Sequence, residues 1–348
     1  MMKRLQKIDG FSWHNVMNCR NELFGISILW IIVFHIYIYC QTGIVGIKAE
    51  GFGKYVSILL SMILYRGNIG VDIFLFLSAI GLCKSIQNNN TATFYKHRFH
   101  RVGIPYLLIA VPFFIWLDIF LRKKGAVQLL LNLTTLNYWL TGDHPTWYIA
   151  FIIIMYLLFP LFYRWDKKTN HVSTVVIIIV SVISEYIMSN TGFFLFKTSE
   201  RALSRVPIFM IGLLCAPVVF SGKRIPFWQV LLIVFAGMWF FALISLSPPS
   251  SMVLQRYSYI PISIAIIIGY AFIRYVLRLN GLWRVFAWIG SISLELYVSH
   301  VFLIRGLFAA KIWSKVHPAL WWAIIPLASL PLALLLQYVT KRIVRQKT

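Results

Sequence analysis

Apolar residues along the chain come in long blocks separated by short polar gaps. Ten blocks, roughly 21–40, 69–86, 103–121, 147–163, 172–189, 203–221, 226–246, 257–276, 286–304 and 318–339, each approach the ~20 residues that a bilayer's hydrocarbon core asks of a helix. The pattern predicts an all-α polytopic membrane protein, a bundle of about ten transmembrane helices. A further apolar stretch, "YVSILLSMILY" at 55–65, is too short to span and is expected to be an interfacial or re-entrant piece before the second span. No gap reaches the length of a usual domain, so residues 1–348 are expected to form a single transmembrane domain with no appended soluble domain.

Composition sharpens this picture. The chain is 59% hydrophobic and 12% charged, with a mean hydropathy of +0.77, more apolar surface than a soluble fold can hide. The net charge is +23, from 33 Lys and Arg against 10 Asp and Glu. In a soluble protein that balance would suggest nucleic acid. Here the basic residues sit in the gaps, so membrane lipids are the expected neighbours and nucleic acid is not an expected partner.

An even number of spans puts both termini on one side. The segments on that side hold 20 of the 33 basic residues and the opposite segments 13, so N- and C-termini are expected in the cytoplasm. The run "LRKKG" at Leu121–Gly125 runs against the bias. Cys19, Cys40, Cys83 and Cys215 lie far apart without a CxxC pair, which suggests neither a metal site nor a disulfide framework. The opening "MMKRLQKIDG" leads into no short apolar core with a small-residue cleavage site, so the first helix is expected to be retained.

Ionisable groups inside spans are costly, about 2.5–3.5 kcal/mol at the bilayer centre, so each is a candidate for function. His35 is nearly alone in "GISILWIIVFHIYIYC" and falls toward the far end of the first span. An imidazole can take a proton from a hydroxyl and return it. Asp72, in "GNIGVDIFLFLSAIGL", enters the second span at a similar expected level. It or Glu295 is expected to orient or tune His35.

The ninth span, "GSISLELYVSHVFLI", read as one helix, carries Ser293, Tyr297 and His300 along one stripe and Ser291, Glu295 and Ser299 along another. Half its circumference is polar, so it cannot face lipid. Ahead of the third span, "FYKHRFHRVGIPYL" sets Arg98 and Arg101 three residues apart, a spacing that suits two guanidinium forks to a phosphate or pyrophosphate.

Five stretches together resemble the acyltransferase-3 family, integral-membrane enzymes that move acyl groups, usually acetyl, onto surface glycans and related acceptors. They are "CRNELFGISILWIIVFH" ending at His35, "GNIGVDIFLFLSAIGL" around Asp72, "FYKHRFHRVGIPYL", "HPTWYIAFIIIMYLLFP" from His144 to Pro160, and "GSISLELYVSHVFLI". The resemblance implies that His35 is the essential first-helix histidine, that Arg98 and Arg101 form the RxxR motif, and that the donor is acetyl-CoA (an acyl-CoA) taken from the cytoplasm. It adds Ser78, His144, Trp147, Ser293, Tyr297 and His300 as supporting positions, with no permanently bound cofactor. Family members commonly carry an arginine eleven residues before the histidine; here that position is Phe24. "NEL" at Asn21 to Leu23 stands where many have an Asp-containing motif, and Ser78-Ala79 replaces a usual Ser-Gly pair. Arg20, one turn nearer the cytoplasm, is expected to supply part of the missing donor contact.

The resulting expectation is an inner-membrane O-acyltransferase acting on a hydroxyl of a cell-surface glycan or lipid-linked saccharide. Two alternatives stay open on sequence: a transporter or flippase with His35, Asp72 and the ninth span lining a path, and a catalytically inactive family member.

Overall fold

The computed structural model describes residues 10–40, 52–142, 146–192, 194–246, 252–277 and 281–345. In chain order the main helices are α1 (Arg20–Cys40), α2 (Phe52–Tyr65), α3 (Ile69–Asn88), α4 (Thr91–Leu121), α5 (Trp147–Lys168), α6 (Val172–Thr191), α7 (Phe194–Leu203), α8 (Val206–Phe220), α9 (Phe227–Leu246), α10 (Tyr259–Leu277), α11 (Gly281–Ser291), α12 (Ser293–Ala309) and α13 (Trp321–Arg345). Among the described residues, nine helical stretches are long and apolar enough to cross a membrane, and the bent pair α11–α12 makes a tenth. The all-α polytopic bundle is therefore present, with helices over nine of the ten expected spans and a break in the other.

The expected interfacial piece is α2, fourteen residues long and short of the ~20 needed to span. It is tied to the bundle where Trp30 Nε1 donates to the Ile63 carbonyl at 2.8 Å. α3 is the most enclosed helix and α6 and α9 are the least. The outward faces of α6 and α9 are accordingly apolar, with Val176, Ile179, Ile183, Leu232, Phe235 and Trp239 exposed as a lipid-facing surface requires.

One expectation is corrected. The ninth span is not a single helix: α11 and α12 meet at Ile292 with a bend of 64°. Ser291 therefore ends α11 and does not share a stripe with Glu295 and Ser299. Close packing explains the break. α11 lies on α1 with Gly25 and Gly290 at the contact, and a Cβ on Gly290 would stand 1.8 Å from the Asn21 carbonyl oxygen. Small residues let two backbones approach in this way. The Gly-Ser-Ile-Ser run at 290–293 has weak helix formers on either side of the turn, so α12 departs on its own axis toward α4 and α13.

α4 is regular except at two π-helical turns, Phe99–Gly103 and Ile115–Leu121. Such turns often mark functional positions in helices. The first carries Arg101, and Arg122 follows the second directly.

Candidate active site

His35, on α1, and His300, on α12, are brought together from positions 265 residues apart: His35 Nδ1 lies 2.8 Å from His300 Nε2. His300 is fully buried, and its Nδ1 lies 2.8 Å from the Leu296 carbonyl oxygen one turn back on the same helix. These partners assign the tautomers. A carbonyl only accepts, so His300 Nδ1 carries a hydrogen, and in a neutral ring its Nε2 then accepts. His35 Nδ1 must be the donor. The Nε2 of His35 is left unprotonated, with no hydrogen-bond partner among the described residues.

His35 lines a chamber of about 800 Å³ at its end of α1. Trp147 and Tyr297 also line it. Tyr148 meets Trp147 and Tyr297 edge-on, with centroids 6.1 and 5.0 Å apart. Tyr297 in turn stands edge-on to His300 at 5.7 Å. Aromatic packing holds the imidazole pair in place.

The two carboxylates expected to orient His35 do not touch it. Asp72 is buried at the same end of the bundle but pairs with Arg205, Oδ1 to Nε at 3.0 Å. Glu295 faces away from the chamber and pairs with Arg101 at 3.6 Å. The physical reason lies on α12 itself: Glu295 and His300 are five residues apart, about 140° around a helix, so they cannot point into one site. A neutral histidine holds the position assigned to a carboxylate.

A second cavity, about 530 Å³, opens at the other end of α1 and is lined by His14, Arg20, Asn21, Lys84 and Ser85 among others. His14 comes from a short helix, Trp13–Asn18, held against the loop after α8 by backbone hydrogen bonds from Trp13 to Lys223 and from Ile225 to Phe11. Arg98 reaches the cavity wall through Ser85 Oγ, 3.3 Å from its Nη2. Its guanidinium also lies 5.9 Å from the Tyr156 ring. Arg20 lies over the Phe24 ring at 4.8 Å, and Phe24 stacks on Phe74 at 4.7 Å. Arg101, half-exposed, donates to the Ser291 carbonyl at 3.5 Å as well as pairing with Glu295, so it clasps the break between α11 and α12.

Of the remaining expected positions, Ser78 is half-buried in mid-α3 and lines neither cavity. Ser293 is buried in the first turn of α12 and lines neither. His144 lies outside the described residues. Among the described residues no cluster of three His, Cys, Asp or Glu side chains could hold a metal ion. Lys84, Ser85 and His14 were not singled out from sequence; only the basic character of Lys84 at the end of a span signalled it.

A family model described as an acyltransferase domain, that of the acyltransferase 3 family, matches residues 25–338. The chain belongs to that family. It is a multi-pass membrane acyltransferase, an enzyme that takes an acyl group from a donor to an acceptor. Comparison with curated proteins and with solved structures finds no match.

Proposed function

We propose that this acyltransferase moves acetyl from acetyl-CoA to a hydroxyl of a cell-surface glycan or lipid-linked saccharide, with His35 as the general base. The observation that carries the reading is the chain from the Leu296 carbonyl through His300 to His35, which leaves one basic nitrogen on a residue that lines a chamber. The acceptor hydroxyl gives its proton to His35 Nε2 as its oxygen bonds to the thioester carbonyl carbon. Collapse of the tetrahedral adduct breaks the C–S bond, and the imidazolium returns the proton to the departing thiolate. Ester and free thiol result, with His35 neutral again. His300 acts as a positioning residue that keeps the reactive tautomer.

The donor's phosphates belong to the cavity at the Arg20 end. Arg20 and Lys84 line it and Arg98 stands behind Ser85, a set of cations suited to phosphate oxygens. Arg101 helps indirectly by holding the α11–α12 break beside them. Arg20 and His35 are fifteen residues apart on α1, about 22 Å along the axis at ~1.5 Å per residue. The donor's acyl arm therefore runs along α1 past Phe24. With both termini in the cytoplasm of a cell whose inner (plasma) membrane holds the protein, the Arg20 end faces the CoA pool and the His35 chamber faces outward.

Mass spectrometry of surface glycans from strains with and without the gene tests the reading. An ester-linked acetyl group present only with the gene is the expected result. Identical glycans, together with no transfer of label from acetyl-CoA in membranes, would remove it.

A further inference from the structure

The chamber around His35 is lined by five arginines from separate parts of the chain: Arg122 after α4, Arg201 on α7, Arg205 ahead of α8, Arg256 on the short helix Met252–Tyr257 before α10 and Arg305 on α12. Two carboxylates pair with this set, Asp72 on Arg205 and Glu200 on Arg256, and a third, Glu185, accepts from the Tyr257 hydroxyl beside Arg256; the set keeps an excess of positive charge. Arg122 and Arg201 make no ion pair among the described residues. A neutral sugar needs both donors and acceptors from its site, whereas guanidiniums supply donors alone. Collecting so many donors of one sign in a semi-enclosed membrane chamber is costly unless a bound anion balances them. The same residues include the "LRKKG" arginine whose position opposes the charge bias of the loops; a binding role accounts for it.

We propose that the acceptor presented to His35 is a saccharide or polyol bearing a phosphate, held through that phosphate by Arg201 and Arg122. The inference rests on the acyltransferase reading of this site. The phosphate comes either from a lipid-linked sugar pyrophosphate or from a phosphate-bearing polymer unit; guanidinium forks recognise both in the same way.

The test uses the full-length purified protein and acceptors chosen to vary the anionic group and its carrier: N-acetylglucosamine, its 1-phosphate, a polyprenyl-pyrophosphate-linked N-acetylglucosamine, and glucuronic acid. Transfer of labelled acetyl from acetyl-CoA is measured for each. Either phosphorylated sugar should exceed the neutral one in kcat/KM by about a hundredfold, the worth of one or two charge-assisted hydrogen bonds. The preferred phosphorylated form identifies the source of the phosphate. Arg201→Gln should raise the KM for that acceptor by about tenfold or more with kcat held, while Lys315→Gln, an exposed charge on no cavity wall, should change nothing. Equal use of neutral and phosphorylated acceptors, or preference for glucuronic acid, overturns the inference and leaves the acyltransferase reading standing. As a separate readout, inorganic pyrophosphate binding is measured with CoA saturating the other cavity. Binding that Arg201→Gln weakens supports the phosphate site even if no acceptor is acylated, in which case the acyl-transfer reading has failed; binding that the substitution leaves unchanged counts against the site.

Discussion

His300 Nε2 lies 2.8 Å from His35 Nδ1 while its own Nδ1 lies 2.8 Å from the Leu296 carbonyl, so the tautomer of one histidine is set by a backbone oxygen through the other. His300→Ala removes that control and lets the His35 ring turn and exchange tautomers. Turnover should fall by about tenfold or more, part of the 10²–10⁴-fold a positioned base supplies, with the donor KM unchanged. Since the base must be neutral, wild-type kcat should drop as pH falls and the imidazole protonates. In His300→Ala this acid limb should move, because His35 loses its partner. A purely structural role for His300 would lower the yield of folded protein and leave the limb in place.

Asp72 and Glu295 give the opposite expectation. Neither touches His35, so Glu295→Gln should leave the acid limb of the pH–rate profile where it is. Asp72→Asn strands the buried Arg205 guanidinium and should cost about 3–5 kcal/mol of stability, seen as a lowered thermal midpoint in detergent. The double change Asp72→Leu with Arg205→Met should recover most of that loss.

Arg20 rests on the Phe24 ring, and Phe24 on Phe74. A cation over an aromatic face is worth about 0.5–2 kcal/mol, enough to hold the guanidinium at the smaller cavity in the absence of an arginine at position 24. Arg20→Ala should raise the donor KM by about tenfold, and Phe24→Leu should raise it by less. Steady-state kinetics with acetyl-CoA varied decides. If Phe24→Arg is needed to switch on a protein otherwise inert toward every donor, the inactive-member alternative prevails.

The α1–α11 contact tolerates no side chain at its centre. Gly290→Ala places a methyl group against the Asn21 carbonyl and should destabilise by about 1–3 kcal/mol or more. Gly281→Ala, with nothing within 4 Å of the added carbon, should fall within about 0.5 kcal/mol of wild type. Thermal unfolding of the two variants side by side checks the pair.

Span length and apolarity made the bundle readable, because a bilayer imposes both on every crossing helix. His35, His300 and Tyr297 were readable as polar residues where lipid forbids them. Their pairing was not, since contacts 265 residues apart leave no trace in local periodicity. The bend at Ile292 escaped for a related reason: its cause is the α1 backbone lying against Gly290, a tertiary constraint that overrides an otherwise continuous apolar pattern. Asp72 and Glu295 drew attention as carboxylates in spans, yet their partners are the arginines Arg205 and Arg101. The Arg122 segment carried a signal of its own, a basic run on the unexpected side, which becomes intelligible once the chamber is seen.

The most direct test is single-turnover transfer of labelled acetyl from acetyl-CoA by purified wild-type protein and by His35→Ala, with CoA binding measured on the same samples. A loss of about 10²–10⁴-fold in the transfer rate with CoA affinity unchanged is expected, because His35 and the cavity proposed for the donor's phosphates sit at opposite ends of α1. Near-wild-type transfer by His35→Ala would contradict the general-base role.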